Sequence, residues 1–566
     1  MIFDFSRQGL SRADAFLERL FEVLPGLTSW TVLLGMLALS FAQPILAAVL
    51  IIAFDLYWLL RLFYMTLFLL LSSARLSLER GTDWMARIRA LDRWAASQGA
   101  EPAIGDRCAT VQQHFSGWIH RRQLVSLQRQ AVDLPPSTGL RHLVMFTVAS
   151  ETPEVLEPGV VSLTQQSFPP KQMLIMFAVE ERAGRERIAA LRRLAERYRA
   201  QFLDFLVVVH PDGLPGEARV KGANATCAAR EAAAYWRAHE VPFERVIVSC
   251  FDADTVVSPE YFSCLTYSFL MTPDRTQASF QPIPVYHNNI WEVPGFARVL
   301  DIGSSFFQLI EATNPEKLVT FSSHSMSFKA LVDVDYWPVD LISEDSAIFW
   351  KAFLHYDGRY RVVPMYVTVS MDVAASGSWW QTVEDVYKQK RRWAWGVENF
   401  PIVMRAFLKA RRIPFSAKLT HGFKLFESHV SWATSAFLVS LIGWFPAWFA
   451  GREFSSSVLY YSAPRIAGVI FRLASLALVT TIIVSLCLLP RPKRRAPYAL
   501  FRRIGHAIEW LLIPFFAMGF SALPALDAQT RLMLGRYMEF WVAGKERDLR
   551  RRPLFGMRKP RMMESA

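Results

Sequence analysis

The chain has 566 residues, 52% of them apolar, and a formal net charge of +13. This length exceeds that of one compact core, and the composition is too apolar for an ordinary soluble enzyme. The basic runs at 491–503 and 545–561 lie beside apolar segments, which favours anionic lipid over nucleic acid as their partner. Five scattered cysteines with no C-x-x-C pair argue against a zinc site or a disulfide framework and suit a reducing cytosol.

The first part of the chain predicts attachment to a membrane. Apolar residues at helical spacing over 10–24, with Arg and Glu between them, predict an amphipathic interfacial N-terminus, residues 1–29. Residues 30–72 are almost continuously apolar, which is long enough for a hairpin of two spans of about 20 residues each. We expect its turn near Pro44 or within 55–61. A cytosolic helical linker, residues 73–139, follows.

Residues 140–425 contain no apolar run long enough to cross a bilayer and predict a soluble domain. Short apolar runs alternate with helical patterns, which predicts a parallel sheet with helices on both faces. The predicted strands are 142–148, 172–179, 203–209 and 245–250, and the predicted helices are 153–167, 185–201 and 220–239.

Acidic side chains follow each predicted strand. In parallel sheets, ligands bind outside the carboxyl ends of the strands, so these side chains predict a site for a cation and a nucleotide, although a chance placement of acids remains an alternative. The residues are Glu151 after the first strand, Glu180 and Glu181 after the second, Asp212 after the third, and Asp252 and Asp254 after the fourth.

Asp252 and Asp254 form a D-x-D pattern at the end of a buried strand. In an extended segment this spacing puts both carboxylates on the same side of the chain. Two hard oxygen ligands could there share one Mg²⁺ or Mn²⁺ with a diphosphate. The pattern alone is weak because Asp clusters are common in turns. The acidic pair Glu344-Asp345 and the sequence Gln389-Lys390-Arg391-Arg392-Trp393 further along the chain make the constellation strong.

These motifs, over residues 140–400, resemble those of the family 2 glycosyltransferases, in particular the membrane-embedded, polymer-forming branch with the cellulose, chitin and hyaluronan synthases. The resemblance implies a nucleotide-sugar-binding (GT-A type) α/β domain with a mixed sheet, inserted between α-helical transmembrane segments. It also implies an inverting, metal-dependent enzyme that extends a polysaccharide from a nucleotide-diphosphate sugar, with a UDP-sugar as the expected donor. Its acceptor would be a glycan or a lipid-linked sugar.

The resemblance implies a role for each motif residue. Glu151 and either Glu180 or Glu181 would contact the nucleoside, Lys221 and Asn224 would lie beside the diphosphate, and Asp252 and Asp254 would bind the metal. Asp345, with Glu344, would supply the catalytic base, Arg392 would clamp diphosphate oxygens, and Gln389 and Trp393 would bind the acceptor.

Structural interpretations of the same motifs remain open. Lys221 could simply be solvated at a helix N-terminus, and Glu344 and Asp345 could cap the helix that begins near Ser346. The segment around Trp393 could be an interfacial helix rich in Trp and Arg. His324 has no second His at ligand spacing, so we do not assign it to a metal or to the chemistry.

Apolar runs near 426–450, 465–490 and 505–526 predict further spans, so residues 426–526 are assigned to transmembrane helices and residues 527–566 to a basic interfacial tail. An even number of preceding spans places the soluble domain in the cytosol, at the inner face of the plasma membrane. Two alternative functions are transfer of a single sugar to a lipid-linked acceptor and an inactive membrane binding subunit.

Overall fold

The computed structural model describes residues 5–97, 111–129, 134–376, 378–449, 458–490 and 496–538. Cys108, part of the basic loop 491–503 and the basic tail beyond 538 lie outside the described residues. The strands are β1 Arg141–Val148, β2 Met173–Glu180, β3 Asp204–His210, β4 Val246–Asp252, β5 Val256–Val257, β6 Ala278–Val285, β7 Ser325–Ser327 and β8 Arg361–Ser370.

The helices fall before, within and after this set of strands. Those before β1 are α1 Arg12–Ala42, α2 Pro44–Glu79, α3 Trp84–Ala96 and α4 Val111–Arg129. Those among the strands are α5 Pro153–Thr164, α6 Arg185–Arg199, α7 Lys221–Ala238, α8 Tyr261–Met271, α9 Gly295–Glu311, α10 Phe328–Asp333 and α11 Glu344–His355. Those after β8 are α12 Trp379–Ala394, α13 Asn399–Lys409, α14 Phe415–Ser440, α15 Phe445–Phe449, α16 Val458–Leu488, α17 Ala496–Glu509, α18 Ile513–Ala517 and α19 Leu523–Met533.

The strands form one mixed sheet in the order β3-β2-β1-β4-β7-β6-β8-β5. Strands β1 to β4 run parallel to one another, and β7 is antiparallel to both β4 and β6. The predicted α/β class with a mixed sheet is confirmed, and each predicted strand and helix of the first half of the domain lies within a few residues of its observed position.

Alternate residues of the central strands bury their side chains on opposite faces of the sheet, as the two-residue period of a strand requires. Phe146 and Phe177 pack on one face with Leu156 of α5, and Met145 and Met176 pack on the other face. Helices α5, α6 and α8 cover the first face, while α7, α10 and α11 cover the second. Because both faces are covered, these strands are continuously apolar rather than alternating.

Among the described residues, four helical stretches are long and apolar enough to cross a membrane. They are Arg12–Ala42, Pro44–Glu79, Gly468–Leu488 and Leu500–Met533. Helix α14 with the segment Ile442–Phe449, bent by 45°, would add a fifth if both parts form one span. The break of the predicted hairpin falls at Gln43, since Pro44 has no N–H to continue α1 and starts α2 at its first position.

The predicted segment limits at 29, 72, 425 and 526 fall inside continuous helices rather than at their ends. The hydropathy of a sequence marks where the apolar stretch begins, whereas backbone hydrogen bonds carry the helix on into the polar part of the chain. In α1, Glu22 and Ser29 are buried while Phe16 and Leu27 are exposed. That pattern is the reverse of a soluble helix and suits apolar surroundings.

Candidate active site

Polar side chains from several elements meet at the edge of the sheet formed by the carboxyl ends of β1 to β4. Because these strands are parallel, Glu151, Glu180 and Asp252 follow neighbouring strands at the same edge. The turn Ser322–Ser323 leads into β7, which is antiparallel to β4, so it reaches this edge as well. The Oγ of Ser322 donates a hydrogen bond to Asp252 Oδ2.

Four charged side chains, which we call the Lys221 cluster, form the centre of this edge. The ammonium of Lys221 lies 2.8 Å from Asp252 Oδ1, 3.1 Å from Asp345 Oδ1 and 3.4 Å from Glu344 Oε1. Lys221 is the first residue of α7, and Glu344 and Asp345 are the first two of α11. The N-terminus of α11 and the end of β4 therefore bring three carboxylates to the ammonium at the N-terminus of α7.

The Lys221 cluster holds more negative than positive charge. Burial by itself lowers the pKa of Lys221, but Asp252, Asp345 and Glu344 together raise it well above its usual value, so the ammonium stays protonated. Burial first, and the charge of Asp345 second, raise the pKa of Glu344, which Lys221 opposes. Because that pKa rises to about 8, Glu344 is protonated near pH 7, and the two aspartates beside one ammonium still leave a site that favours an added cation.

Gly222 allows the two helix N-termini to approach each other. A Cβ at this position would lie 2.2 Å from the carbonyl oxygen of Pro338 and 3.1 Å from Cβ of Glu344. Any side chain would therefore push the start of α7 away from α11. The glycine of the Lys221-Gly222-Ala223-Asn224 sequence keeps Lys221 within reach of the acidic pair.

The structure corrects the expected geometry of the D-x-D pattern. Asp252 ends β4, but Ala253 and Asp254 form a turn closed by a hydrogen bond of 3.0 Å from Thr255 N to Asp252 O. The Asp252 side chain is 30% exposed, whereas Asp254 is buried and its Oδ2 accepts a hydrogen bond of 2.8 Å from Asp372 N. The two carboxylates therefore do not lie on one side of an extended strand, because the chain turns immediately after the first.

The two aspartates nevertheless have the chemistry that a hard divalent cation requires, since both offer carboxylate oxygens and Asp252 belongs to the negatively charged Lys221 cluster. Among the described residues, no group of three or more His, Cys, Asp or Glu is arranged to hold a metal. The remaining ligands of a cation at Asp252 and Asp254 would have to come from a bound diphosphate and water.

The residues expected to contact the nucleoside are divided between two places. Glu181 accepts a hydrogen bond of 3.1 Å from Asp212 N, and both residues line a cavity of about 120 Å³ together with Glu180. Glu151 instead turns back on its own loop, where its Oε2 accepts hydrogen bonds of 2.8 and 3.0 Å from the N–H groups of Ala149 and Ser150.

Asn224 is buried at the start of α7. Its Nδ2 donates to the carbonyl oxygens of Ala178, at 2.8 Å, and Val148, at 3.3 Å. The side chain therefore joins the ends of β2 and β1, and this support of the sheet edge accounts for it without a diphosphate. Its assignment to nucleotide binding stays a prediction.

Helix α12 carries Gln389, Arg392 and Trp393. Gln389 is buried, and its Oε1 accepts no hydrogen bond from any residue in the described part of the chain, which marks an acceptor available to a ligand. Burial is the main cause of the raised pKa of Glu344, and the positive charge of Arg392 is among the influences that lower it. The Trp393 ring lies 6.2 Å from the ring of Tyr286.

Side chains that the sequence did not single out hold α12 in place. Lys390 forms a buried ion pair of 2.6 Å with Asp301 of α9, and its ammonium lies 3.8 Å from the centre of the Trp393 ring. Arg391 pairs at 2.9 Å with Asp527 of α19. Asp301 lies 89 residues from Lys390 in the chain and Asp527 lies 136 residues from Arg391, so no local sequence pattern predicts these contacts.

His324 lies beside the cluster without being part of its charge. Its Nδ1 is 2.9 Å from the carbonyl oxygen of Phe321 and 3.9 Å from Asp345 Oδ1. Burial lowers the pKa of this imidazole, which is therefore neutral near pH 7. The preceding residue, Ser323, has φ +59°, a left-handed conformation that keeps the turn tight against Asp252.

Comparison with known proteins gives two sequence matches. Residues 247–489 match the model of "Glycosyl transferase family group 2". The chain is 29% identical over 174 residues to poly-beta-1,6-N-acetyl-D-glucosamine synthase of Staphylococcus aureus strain COL, which covers 30% of this chain and 39% of that relative. The chain thus spans well under half the length of the curated relatives it matches.

Solved structures give weaker likenesses. The mannosyltransferase PcManGT from Pyrobaculum calidifontis, in complex with GDP-Man and Mn²⁺, aligns with a TM-score of 0.38 and 14% identity over 79% of this chain and 100% of that one. S. aureus TarS 1–349 in complex with UDP-GlcNAc aligns with a TM-score of 0.34 and 14% identity, over 74% of this chain and 100% of that one. At these values the likenesses add no argument to the sheet order described above.

Proposed function

This chain belongs to the family 2 glycosyltransferases, and from that premise we propose that it extends a polysaccharide from a nucleotide-diphosphate sugar, with a UDP-sugar as donor. The transfer inverts the anomeric centre, requires Mg²⁺ or Mn²⁺, and takes place at the cytosolic face of the inner membrane. The observation that carries the proposal is the Lys221 cluster, which joins the D-x-D pattern at the end of β4 to the acidic pair at the start of α11.

Asp345 acts as the catalytic base. The acceptor hydroxyl oxygen attacks the anomeric carbon of the donor sugar, the hydroxyl proton passes to the Asp345 carboxylate, and the bond to the diphosphate oxygen breaks. This carboxylate is suited to the task because it is one-fifth exposed and is held in place by Lys221, with 3.1 Å from Nζ to each oxygen. A single displacement of this kind inverts the configuration.

Positive charge meets the diphosphate from two directions. Lys221 lies at the N-terminus of α7, where the helix dipole adds to its own charge, and Arg392 approaches from α12. A divalent cation held by Asp252 and Asp254 would supply Lewis-acid stabilisation of the charge that builds on the departing nucleoside diphosphate. Glu180 and Glu181 contact the nucleoside from the cavity beside β2 and β3.

The acceptor lies against α12. Trp393 offers a partly exposed aromatic face for a sugar ring, and the buried Gln389 offers an amide oxygen that no described residue uses. The apolar helices on both sides of the domain keep this acceptor site near the bilayer. A matched relative that is named as a polysaccharide synthase favours a polymer over a single addition.

The test is the length of the product. Purified full-length protein in lipid nanodiscs is incubated with a panel of nucleotide-diphosphate sugars in Mg²⁺ or Mn²⁺, with excess chelator as the control. We expect chains of many sugars with one donor and none in chelator. Full activity in chelator would show that transfer does not require a metal. Products with one added sugar would show that the chain transfers a single sugar to a lipid-linked acceptor instead of extending a polysaccharide.

A further inference from the structure

We propose that Glu398, which no motif includes, is a positioning residue that holds the base Asp345 in register with α12, so that the acceptor-binding helix and the base move as one unit. The inference rests on the proposed function, because it takes Asp345 as the base and α12 as the acceptor-binding element.

Glu398 fixes the backbone immediately before the acidic pair. The residue is 1% exposed, and its Oε1 accepts hydrogen bonds from Ser343 N at 2.8 Å, Ser343 Oγ at 2.7 Å and Ile342 N at 3.0 Å. Since Glu344 and Asp345 follow directly, one carboxylate determines where α11 begins. Hydrogen bonds to an ionised acceptor are stronger than neutral ones, which suits such a role.

The N-cap of α11 is organised around this carboxylate. Ser343 occupies the N-cap position, but its side chain accepts no hydrogen bond from the helix, unlike an ordinary serine cap. Its hydroxyl donates to Glu398 instead and accepts a hydrogen bond of 3.1 Å from Asn399 Nδ2, which also donates to Ser346 Oγ at 2.9 Å. The start of α11 is therefore tied to residues 398 and 399 rather than capped by itself.

The other side of Glu398 belongs to the segment that carries the acceptor residues. A 3-10 turn, Trp395–Glu398, continues α12 without a loop, so Trp393 and Glu398 share one helical stretch. The indole N–H of the fully buried Trp395 donates to Glu398 Oε2 at 2.8 Å, and Arg7 Nη1 lies 3.3 Å from the same oxygen. A displacement of α12 is thereby passed to Ser343 and so to Asp345.

This arrangement predicts a defect in turnover rather than in donor binding. Glutamine at 398 has nearly the same shape, but its amide can offer only one oxygen, so it cannot accept hydrogen bonds from Ser343 on one side and Trp395 on the other. The base then loses its fixed place. A misplacement of about 1 Å can lower turnover roughly 10²-fold, and we expect a loss of that order with the donor dissociation constant unchanged.

The experiment is a double-mutant cycle on the full-length protein, with single-turnover sugar transfer and equilibrium donor binding as readouts. Glu398→Gln, Asp345→Asn and the double variant are compared with wild type. If Glu398 acts through the base, Glu398→Gln causes no further loss of rate in the Asp345→Asn background. A loss that multiplies in the double variant overturns the inference.

Two further variants keep the test decisive. Glu79→Gln changes another buried carboxylate with Arg and Ser partners, Arg87 and Ser116, and serves as the matched control with wild-type turnover. If Glu398→Gln does not fold, Ser343→Ala removes only the hydroxyl contact, and it should lower turnover several-fold without changing donor affinity. Wild-type turnover in Ser343→Ala would then overturn the inference. Wild-type turnover in Asp345→Asn would instead overturn the proposed function.

Discussion

The two halves of the candidate site are held in place by different means. The sheet-edge half, Lys221 with Asp252 and Asp345, lies on a strand end and two helix N-termini that are fixed by the packed core on both faces of the sheet. The α12 half, with Arg392 and Trp393, also buries apolar residues, but Lys390 and Arg391 add ion pairs with distant helices. The charges of the sheet-edge half therefore pair with one another inside the site, whereas these two charges of the α12 half pair with helices outside it.

This difference has consequences for what a substitution does. In the sheet-edge half the packed core on both faces of the sheet holds the backbone. A partly exposed side chain such as Asp345 can therefore lose its charge while the fold stays intact. In the α12 half the charge of Lys390 also has a structural role, because removing Asp301 would leave the ammonium buried without its carboxylate partner. Chemistry and stability should therefore separate in the first half and remain coupled in the second.

The largest effect is expected in the sheet-edge half, from Asp345→Asn. The change keeps the shape of the side chain but removes the carboxylate that we propose as the base, so turnover should fall roughly 10²–10⁴-fold. Donor affinity and thermal stability should stay close to wild type, measured by transfer assays, titration calorimetry and thermal unfolding.

Asp335→Asn is the matched control for that variant. Asp335 is 79% exposed on the surface, and its φ of +53° is one that asparagine tolerates well. Its turnover should equal that of wild type. If Asp345→Asn instead loses folding and donor binding together, Asp345 acts as the helix cap that its position also allows.

The next largest effect is expected in the α12 half, from Asp301→Ala. Burial lowers the pKa of Lys390 and raises that of Asp301, so each group keeps its charge only because the other charge lies beside it. Loss of one partner of a buried pair costs about 3–5 kcal/mol of stability. We expect a lower thermal unfolding temperature together with weaker acceptor binding, because the Lys390 ammonium also supports the Trp393 ring.

Asp274→Ala gives the comparison for an exposed pair. Asp274 pairs with Arg361 at the surface, where both side chains are about half exposed, and its loss should cost about 0–1 kcal/mol. Equal stability of the Asp274→Ala and Asp301→Ala variants would show that the ion pair does not hold α12.

A smaller effect should appear as the pH is lowered. Burial lowers the pKa of His142, at the start of β1, from 6.5 to about 3. At a pH between 6.5 and about 3 this imidazole binds a proton in the unfolded chain but not in the folded one. The folded state is therefore fully favoured above pH 6.5 and loses stability as the pH falls from 6.5 towards 3. By pH 5 the loss is about 2 kcal/mol, at about 1.4 kcal/mol per pH unit.

Thermal unfolding between pH 7 and pH 5 measures this loss, with His142→Gln as the comparison. The variant keeps a hydrogen-bonding group opposite Thr266, whose hydroxyl lies 2.8 Å from His142 Nε2, but it cannot take up a proton. Its stability should depend less on pH than that of wild type. Equal pH dependence of the two proteins would contradict the assignment to His142.

The same division explains what the sequence could predict. The sequence predicted Glu180, Asp252 and Asp254 at one edge of the sheet, because each comes at the end of an apolar strand and the carboxyl ends of parallel strands lie at the same edge. The sequence did not predict the turn that separates Asp252 from Asp254, since two acids on either side of one alanine are compatible with both a strand and a turn. It also missed Lys390–Asp301 and Glu398–Ser343, because these contacts join residues that are distant in the chain.

We propose that the two halves form one site, with the donor on the sheet edge and the acceptor on α12. The most direct test measures donor cleavage and sugar transfer together, for Asp252→Asn and Trp393→Ala, with one labelled nucleotide sugar. We expect that Asp252→Asn loses both cleavage and transfer, while Trp393→Ala still transfers the sugar to water, with release of the nucleoside diphosphate, but no longer extends the acceptor. Equal loss of both reactions in both variants would contradict it.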